Sequence, residues 1–275
     1  MHAYVVNLAR SRDRRAHIIT QLDQTSLDYE IVTAVDGREL DLSDDAIIDQ
    51  SLPFIRSALT GLDTGLAAGT AGAALSHLNI YQKIIADGRE GALVLEDDVA
   101  LPADMAGLAD AVAAQMSGAE VALLSVDSPE PCKMSSEGVT ILPSGRMLAL
   151  PIDISQPHSA AAYVITREAC ERMVKRMPPV RVQADGWAFF YREGILDRVR
   201  CVLPMPVLKQ SQFMSTIGSY SLGDGLMARL AGPVMRSKFP GLHQVLAYRR
   251  RRIHREWGRS EIVDTPFVER PSRMG

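Results

Sequence analysis

The chain has 275 residues, of which 47% are hydrophobic and 23% charged, with a net charge of −3. Those proportions exclude collagen-like, low-complexity and globally disordered chains, and no uninterrupted apolar run approaches the roughly 20 residues of a membrane span. The three cysteines, Cys132, Cys170 and Cys201, are odd in number and far apart, which excludes a disulfide framework or a zinc spacing and makes them small buried hydrophobes. The opening, Met1 to Arg15, runs from apolar to basic, the reverse of a secretory signal, so the expected location is the cytoplasm.

The first expected strand is Ala3 to Leu8, followed by a helix capped by Ser11 and running to about Gln24, with Ile18, Ile19 and Leu22 on one face. A second strand, Tyr29 to Val35, ends at the turn Asp36-Gly37. Gly61, Gly65, Gly69 and Gly72 are spaced for a loop rather than a phosphate cradle, and Thr70 is placed to cap a helix through Ala86. Gly91 to Leu95 reads as a fully buried strand. A helix over Ala103–Met116, strands at Glu120–Val126, Arg146–Leu150 and Ala160–Ile165, a helix over Arg167–Met177, and strands at Arg200–Leu203 and Pro206–Lys209 complete the body. Strands alternating with helices predict a mostly parallel α/β sheet covered on both faces, with an irregular second half.

The informative feature is Glu96-Asp97-Asp98, directly after the buried strand. Open α/β sheets bind ligands at the carboxyl ends of their strands. Three acids packed there repel one another and resist desolvation. A divalent cation removes both problems, and oxygen ligands suit Mg2+ or Mn2+. If the strand continued, alternation would send Glu96 and Asp98 to one side and Asp97 to the other. The plainer alternative is an acidic turn exposed to water. No G-x-S-x-G, Walker A, H-E-x-x-H or dinucleotide-binding G-x-G-x-x-G is present.

Five blocks carry a resemblance. Asn7-Leu8-Ala9-Arg10 with Asp13-Arg14-Arg15, Ala34 to Leu40, Ala73 to His77 with Tyr81-Gln82-Lys83, Leu95 to Val99, and Ser159 to Ile165 followed by Asp185 stand in one order and spacing. Together they resemble glycosyltransferase family 25, over about residues 3–217. The stretch Gly69-Thr70-Ala71-Gly72 departs from the family, which often carries an acid and a large apolar residue between those glycines.

The resemblance implies a GT-A-like, Rossmann-type fold in which Mn2+ or Mg2+ bridges the acidic motif and the diphosphate of a UDP-sugar. Asp98 is then the first metal ligand, Asp97 a ribose or metal contact, and Glu96 a further metal ligand. Asn7 and Arg10, ahead of Arg14 and Arg15, stand where a strand gives way to a helix, a place for nucleotide contacts, since an Arg pairs with phosphate through two hydrogen bonds; the plainer alternative is a turn-capping Asn and a surface Arg. Asp13, in the first helical turn, serves the helix dipole. Asp36 is a candidate for the uridine side, though it also reads as a plain turn residue. Ser76 and His77 are candidates near the donor, although a lone His in an apolar helix is commonly a hydrogen-bonded core residue. The resemblance also implies inversion at the anomeric carbon, which needs a general base for the acceptor hydroxyl. Asp153, His158 and Asp185 are the candidates, with Asp185 favoured as base over a further metal ligand or helix cap. Trp187 and Tyr191 either stack on a sugar or pack in the core.

Residues 1–228 carry −10 and residues 229–259 carry +8. The expected division is a glycosyltransferase domain over 1–220 and a basic helical extension over 221–275. Apolar positions between Leu226 and Tyr248, then Arg249 to Arg252 and Trp257, suit the surface of an anionic bilayer; the plainer alternative is a helix packed on the body with a solvated Arg run. The acidic body argues against nucleic acid. The expected activity is transfer of galactose from a UDP-sugar to a glycan or lipid-linked acceptor in lipopolysaccharide or surface-glycan synthesis, at the inner face of the cytoplasmic membrane. The alternatives are a degenerate relative that binds a nucleotide sugar or partner without turnover, and a nucleotidyltransferase, which lacks its Gly-rich basic loop here.

Overall fold

A computed structural model describes residues 1–51, 64–128, 131–210 and 260–264. In chain order the elements are β1 (His2–Asn7), α1 (Arg12–Leu22), β2 (Asp28–Thr33), a 3-10 turn (Gly37–Glu39), α2 (Thr64–Ala86), β3 (Gly91–Glu96), β4 (Val99–Ala100), α3 (Met105–Ala113) and β5 (Glu120–Leu123). There follow β6 (Cys132–Ser135), β7 (Thr140–Ile141), β8 (Met147–Ala149), β9 (Ala162–Thr166), α4 (Arg167–Arg176), α5 (Trp187–Arg192), β10 (Arg198–Leu203), β11 (Leu208–Lys209) and β12 (Ser260–Val263).

Eight strands form one sheet in the order β2-β1-β3-β9-β5-β10-β8-β7. β1 is parallel to β2 and β3, and β5 is parallel to β10. β9 lies antiparallel between β3 and β5, and β8 antiparallel between β10 and β7. The expected α/β sheet is therefore present, with most strands sharing one direction and β9 reversed at its centre. An apolar run reads the same in either direction, so the sequence pattern carries no sign of that reversal.

Period-two alternation divides the core into two layers. Tyr4, Val94, Val121 and Tyr163 face Leu78, Tyr81 and Ile84 of α2, Cys170 and Met173 of α4, and Trp187 and Phe190 of α5. Ala3, Val5, Leu93, Leu95 and Val164 face Ile18 and Leu22 of α1 and Met105, Leu108 and Val112 of α3. Each such large side chain contributes roughly 1.5–3 kcal/mol on burial. The cysteines are buried and unbridged, as expected.

Several boundaries move. α2 begins at Thr64, so Thr70 is a buried interior residue rather than a cap, and Gly65, Gly69 and Gly72 lie in the helix rather than in a loop. Glycine is used there for close approach. A Cβ on Gly72 would lie 2.8 Å from the Gly37 nitrogen, and one on Gly37 would lie 1.8 Å from the Ala68 carbonyl oxygen. The helix and the 3-10 turn thus meet backbone to backbone. Ser11 makes no side-chain cap; its carbonyl accepts from the Arg15 N–H at 3.0 Å instead. The strand expected from Ala160 starts at Ala162, and the one expected over 206–209 is reduced to Leu208–Lys209, paired with β4.

The boundary near 220, Gly61 and the basic run Arg249–Arg252 lie outside the described residues. Within the extension expected to be helical, Ser260–Val263 form a strand parallel to β6. Among the described residues no helix is long and apolar enough to cross a membrane.

Candidate functional site

The parallel register sets Val6 opposite both Val32 and Glu96, so β1, β2 and β3 finish level at their carboxyl ends. β5 leaves the sheet at the same edge. The reversed β9 enters there, and the Glu96 N–H donates to the Ala161 carbonyl at 2.8 Å. The Asp127 N–H donates to the His158 carbonyl at 2.7 Å. One edge therefore gathers Asn7, Asp36, the acidic triplet, Asp127 and His158, where an open α/β sheet places its ligand.

β3 ends at Glu96, and Asp97-Asp98 form a turn into β4. Alternation stops with the strand, so the two aspartates share a partner instead of facing opposite sides. Arg14, in the first turn of α1, sets its Nε 3.1 Å from Asp97 Oδ1 and pairs a terminal nitrogen with Asp98 Oδ2. Asn7 Nδ2 donates to Asp97 Oδ2 at 2.7 Å. Asp98 Oδ1 and Asn7 Oδ1 are buried without a hydrogen-bond partner.

Glu96 faces a different set. Its Oε1 lies 3.8 Å from His77 Nε2 and its Oε2 4.0 Å from Lys209 Nζ. Burial pushes Asp97 up to about 6 against the opposing pull of Arg14 and Asn7. Burial and the charge of Glu96 raise Asp98. Burial also works to raise Glu96, but Lys209, His77 and Arg14 outweigh it and hold Glu96 low, at about 2.

His77 is 1% exposed, and its Nδ1 lies 2.7 Å from the Tyr163 hydroxyl, which is 2.9 Å from that of Tyr81. It is a hydrogen-bonded core histidine whose far nitrogen points toward Glu96. Ser76 is also tied internally. Its hydroxyl donates to the Gly72 carbonyl at 2.6 Å and accepts the Val35 N–H at 2.8 Å, fastening the exit of β2 to α2. Asp36 caps the 3-10 turn by accepting the Arg38 N–H at 3.1 Å, and its carboxylate pairs with both Arg38 and Arg10. Arg38, with lesser help from Arg10, holds the Asp36 carboxyl well below the usual range.

On the other side, Asp185 caps no helix. Gly186 stands at the N-cap of α5, and Asp185 Oδ2 accepts the Ser159 N–H at 3.2 Å. Ser159 adopts φ 122°, a strained conformation for a residue with a side chain. Trp187 Nε1 holds its carbonyl at 3.0 Å. Trp187 and Tyr191 are buried, so both rings pack in the core rather than presenting a face to a sugar. Asp153 is exposed and caps its own turn, accepting from Ser155 N–H at 2.8 Å. His158 is exposed.

Sequence reasoning underweighted Arg14 and missed Lys209. Arg14 had a signal: it is spaced by four and eight from Ile18 and Leu22, on the face of α1 that packs on the sheet. Lys209 reaches the site through the pairing of β11 with β4; a strand over Pro206–Lys209 is legible in the sequence, but its partner is not.

Among the described residues, no group of three or more His, Cys, Asp or Glu side chains is arranged to hold a metal ion. The donor chemistry nevertheless fits a hard cation that arrives with phosphate. Mg2+-type sites commonly use one or two carboxylates, with substrate phosphates and water completing the shell. Asp98 Oδ1 is an unpartnered carboxylate oxygen of that kind.

The family model for glycosyltransferase family 25 (LPS biosynthesis protein) matches residues 1–187. The chain belongs to glycosyltransferase family 25. A family 25 member from Aedes aegypti is 37% identical over 99 residues, covering 36% of this chain and 16% of that protein. Procollagen galactosyltransferase 1 from Danio rerio is 35% identical over 97 residues, covering 35% of this chain and 16% of that protein. A probable inactive glycosyltransferase 25 family member 3 from Bos taurus is 32% identical over 105 residues, 38% of this chain and 17% of that protein. The chain thus matches about one sixth of the length of these curated relatives. A glycosyltransferase involved in the glycosylation of the major capsid of PBCV-1 aligns with 12% identity and a TM-score of 0.26, over 96% of this chain and 81% of that chain, a likeness too low to carry an argument.

Proposed function

We propose that this family 25 chain is an inverting glycosyltransferase of GT-A-like fold that moves galactose from UDP-galactose to a hydroxyl of a glycan or lipid-linked acceptor. The observation that carries the reading is the buried, unpartnered Oδ1 of Asp98 at the carboxyl end of β3, held in place by Arg14. Family membership supports glycosyl transfer, and relatives named as procollagen galactosyltransferases support galactose. A bound Mn2+ or Mg2+ would supply Lewis-acid stabilisation of charge on the departing diphosphate.

The residues divide the work. Asp98 is the cation ligand. Asp97 has both oxygens engaged by Asn7 and Arg14, so it braces the guanidinium, and it reaches a ribose only by releasing one of them. Arg10, 38% exposed in its side chain, is placed to exchange Asp36 for a phosphate oxygen. Asp185, half-buried at the same edge, takes the proton from the acceptor hydroxyl, with exposed His158 as the second candidate. The acceptor belongs to lipopolysaccharide or surface-glycan synthesis, reached at the inner face of the cytoplasmic membrane through the basic extension.

The test is UDP release from UDP-galactose in the presence of glycan acceptors, with Mn2+ or EDTA, for wild type and Asp98→Asn. Metal-dependent release lost in the variant supports the reading, and undiminished release in EDTA overturns it. A second reading, binding without turnover, is favoured by one observation: Arg14 already pairs with both Asp97 and Asp98. UDP binding without release under every condition would select it.

A further inference from the structure

The acidic triplet is not three equivalent ligands, because the chain has already assigned partners to most of its oxygens. Asp97 is spoken for by Asn7 and Arg14, and one oxygen of Asp98 by Arg14. Glu96 is left, and beside it stand His77, with Nε2 3.8 Å from Oε1, and the ammonium of Lys209, with Nζ 4.0 Å from Oε2. Lys209 is held there by backbone. It pairs with Val99 in the β11–β4 ladder, and the next residue, Gln210, donates its N–H to the Asp98 carbonyl at 2.7 Å. The segment after β10 is thus stitched to the acidic turn itself. Around the ammonium stand the charges of Glu96, Asp98, Asp127 and Asp185, brought from β3, the turn after it, the exit of β5 and the approach to α5.

We propose that Lys209 is a positioning residue that holds Glu96 out of the coordination shell of the divalent cation, so that Asp98 alone supplies the protein's carboxylate and the cation binds tightly only together with the nucleotide. The inference rests on the cation-dependent reading above and deepens it. One carboxylate oxygen is too few ligands for tight capture of a hard cation from water, and a diphosphate adds further oxygens while water completes the shell. Lys209 therefore suppresses cation binding in the empty enzyme and couples it to donor binding. Unlike the acids, Lys209 lies outside the segment matched by the family model.

The test is Mn2+ binding, followed by electron paramagnetic resonance of free Mn2+, to wild type, Lys209→Met and Lys209→Arg, each with and without UDP. Circular dichroism and thermal melting check that each variant is folded. Wild type is expected to bind Mn2+ at least tenfold more tightly with UDP than without. Lys209→Met, with Glu96 released, is expected to bind Mn2+ several-fold more tightly than wild type in the absence of UDP, with a smaller enhancement when UDP is added. Lys209→Arg restores the wild-type pattern. Equal Mn2+ affinities for wild type and Lys209→Met, with a strong UDP effect in both, overturn the role of Lys209 and leave the cation-dependent reading standing. Failure of every variant to bind Mn2+ even with UDP overturns both. If Lys209→Met does not fold, the same measurement on Glu96→Gln decides: unchanged Mn2+ affinity is expected when Glu96 is no ligand, and weakened Mn2+ binding with UDP contradicts the assignment.

Discussion

Arg14 pairs with Asp98 in the acidic turn, and the same guanidinium reaches Asp97 through its Nε at 3.1 Å. One side chain from the first turn of α1 therefore holds together two adjacent carboxylates that would otherwise repel each other. All three groups are largely buried, with side-chain exposures of 14%, 6% and 13%.

Removing that guanidinium leaves two buried carboxylates without the partner they share, with only Asn7 on Asp97 and the more distant Lys209 to offset their repulsion. Arg14→Ala is expected to lower the unfolding free energy by about 3 kcal/mol. Arg14→Lys should recover only part of it, because an ammonium is a point charge and cannot serve two carboxylates as a planar fork does. Urea denaturation at neutral pH checks both; a loss below about 0.5 kcal/mol for Arg14→Ala would mean that the pair contributes no more than a surface contact.

The meeting of α2 with the 3-10 turn is equally specific. Gly37→Ala places a methyl group against the Ala68 carbonyl, backbone that cannot swing aside, and should destabilise the fold by roughly 2–3 kcal/mol. Gly107→Ala, where a Cβ meets nothing within 4 Å, is the control and should be neutral or slightly stabilising. Similar losses for the two variants would contradict the close approach.

How much of this was legible in the sequence follows the same physics. The acidic triplet announced itself because an apolar run abuts it, and charge at the end of a buried strand has few uses. The α/β alternation was visible because buried strands and amphipathic helices have different periods. α2 was clipped at its start because Gly65, Gly69 and Gly72 look like loop punctuation, whereas the helix uses Gly72 for backbone contact with Val35 and Gly37. The reversed β9 and the β11–β4 ladder are long-range pairings of short segments, and those leave no local mark. His77 and Ser76, candidates near the donor, are tied into the interior, to Tyr163 and to Val35, in keeping with the plainer reading of a lone His in an apolar helix as a hydrogen-bonded core residue.

Acid sensitivity should report the Arg10–Asp36–Arg38 cluster. Arg38 and Arg10 lower the Asp36 carboxyl below its ordinary value, so the unfolded chain takes up that proton first as pH falls. The cluster's stabilisation is then fully present above about pH 4, the unfolded carboxyl's range, and is lost progressively as pH falls toward the folded value. Melting temperatures of wild type and Asp36→Asn, measured from pH 7 down to pH 2, should converge at the acid end. Parallel curves would show that Asp36 has no depressed pKa.

Asp185 is separable from its neighbours because the amide of Asp185→Asn still offers an oxygen to the Ser159 N–H. The variant should keep its melting temperature within a few degrees and lose on the order of 10²–10⁴ in kcat. A folded variant with kcat unchanged would move the base to His158, and His158→Gln would then carry the loss.

The most direct measurement is a calorimetric titration of UDP into wild type and Asp98→Ala, each in Mn2+ and in EDTA. Cation-dependent UDP binding in the wild type, abolished by Asp98→Ala, is the predicted result. UDP binding of equal strength in Mn2+ and EDTA, or undiminished in the variant, would contradict the assignment of Asp98 as the residue through which this site holds its cation.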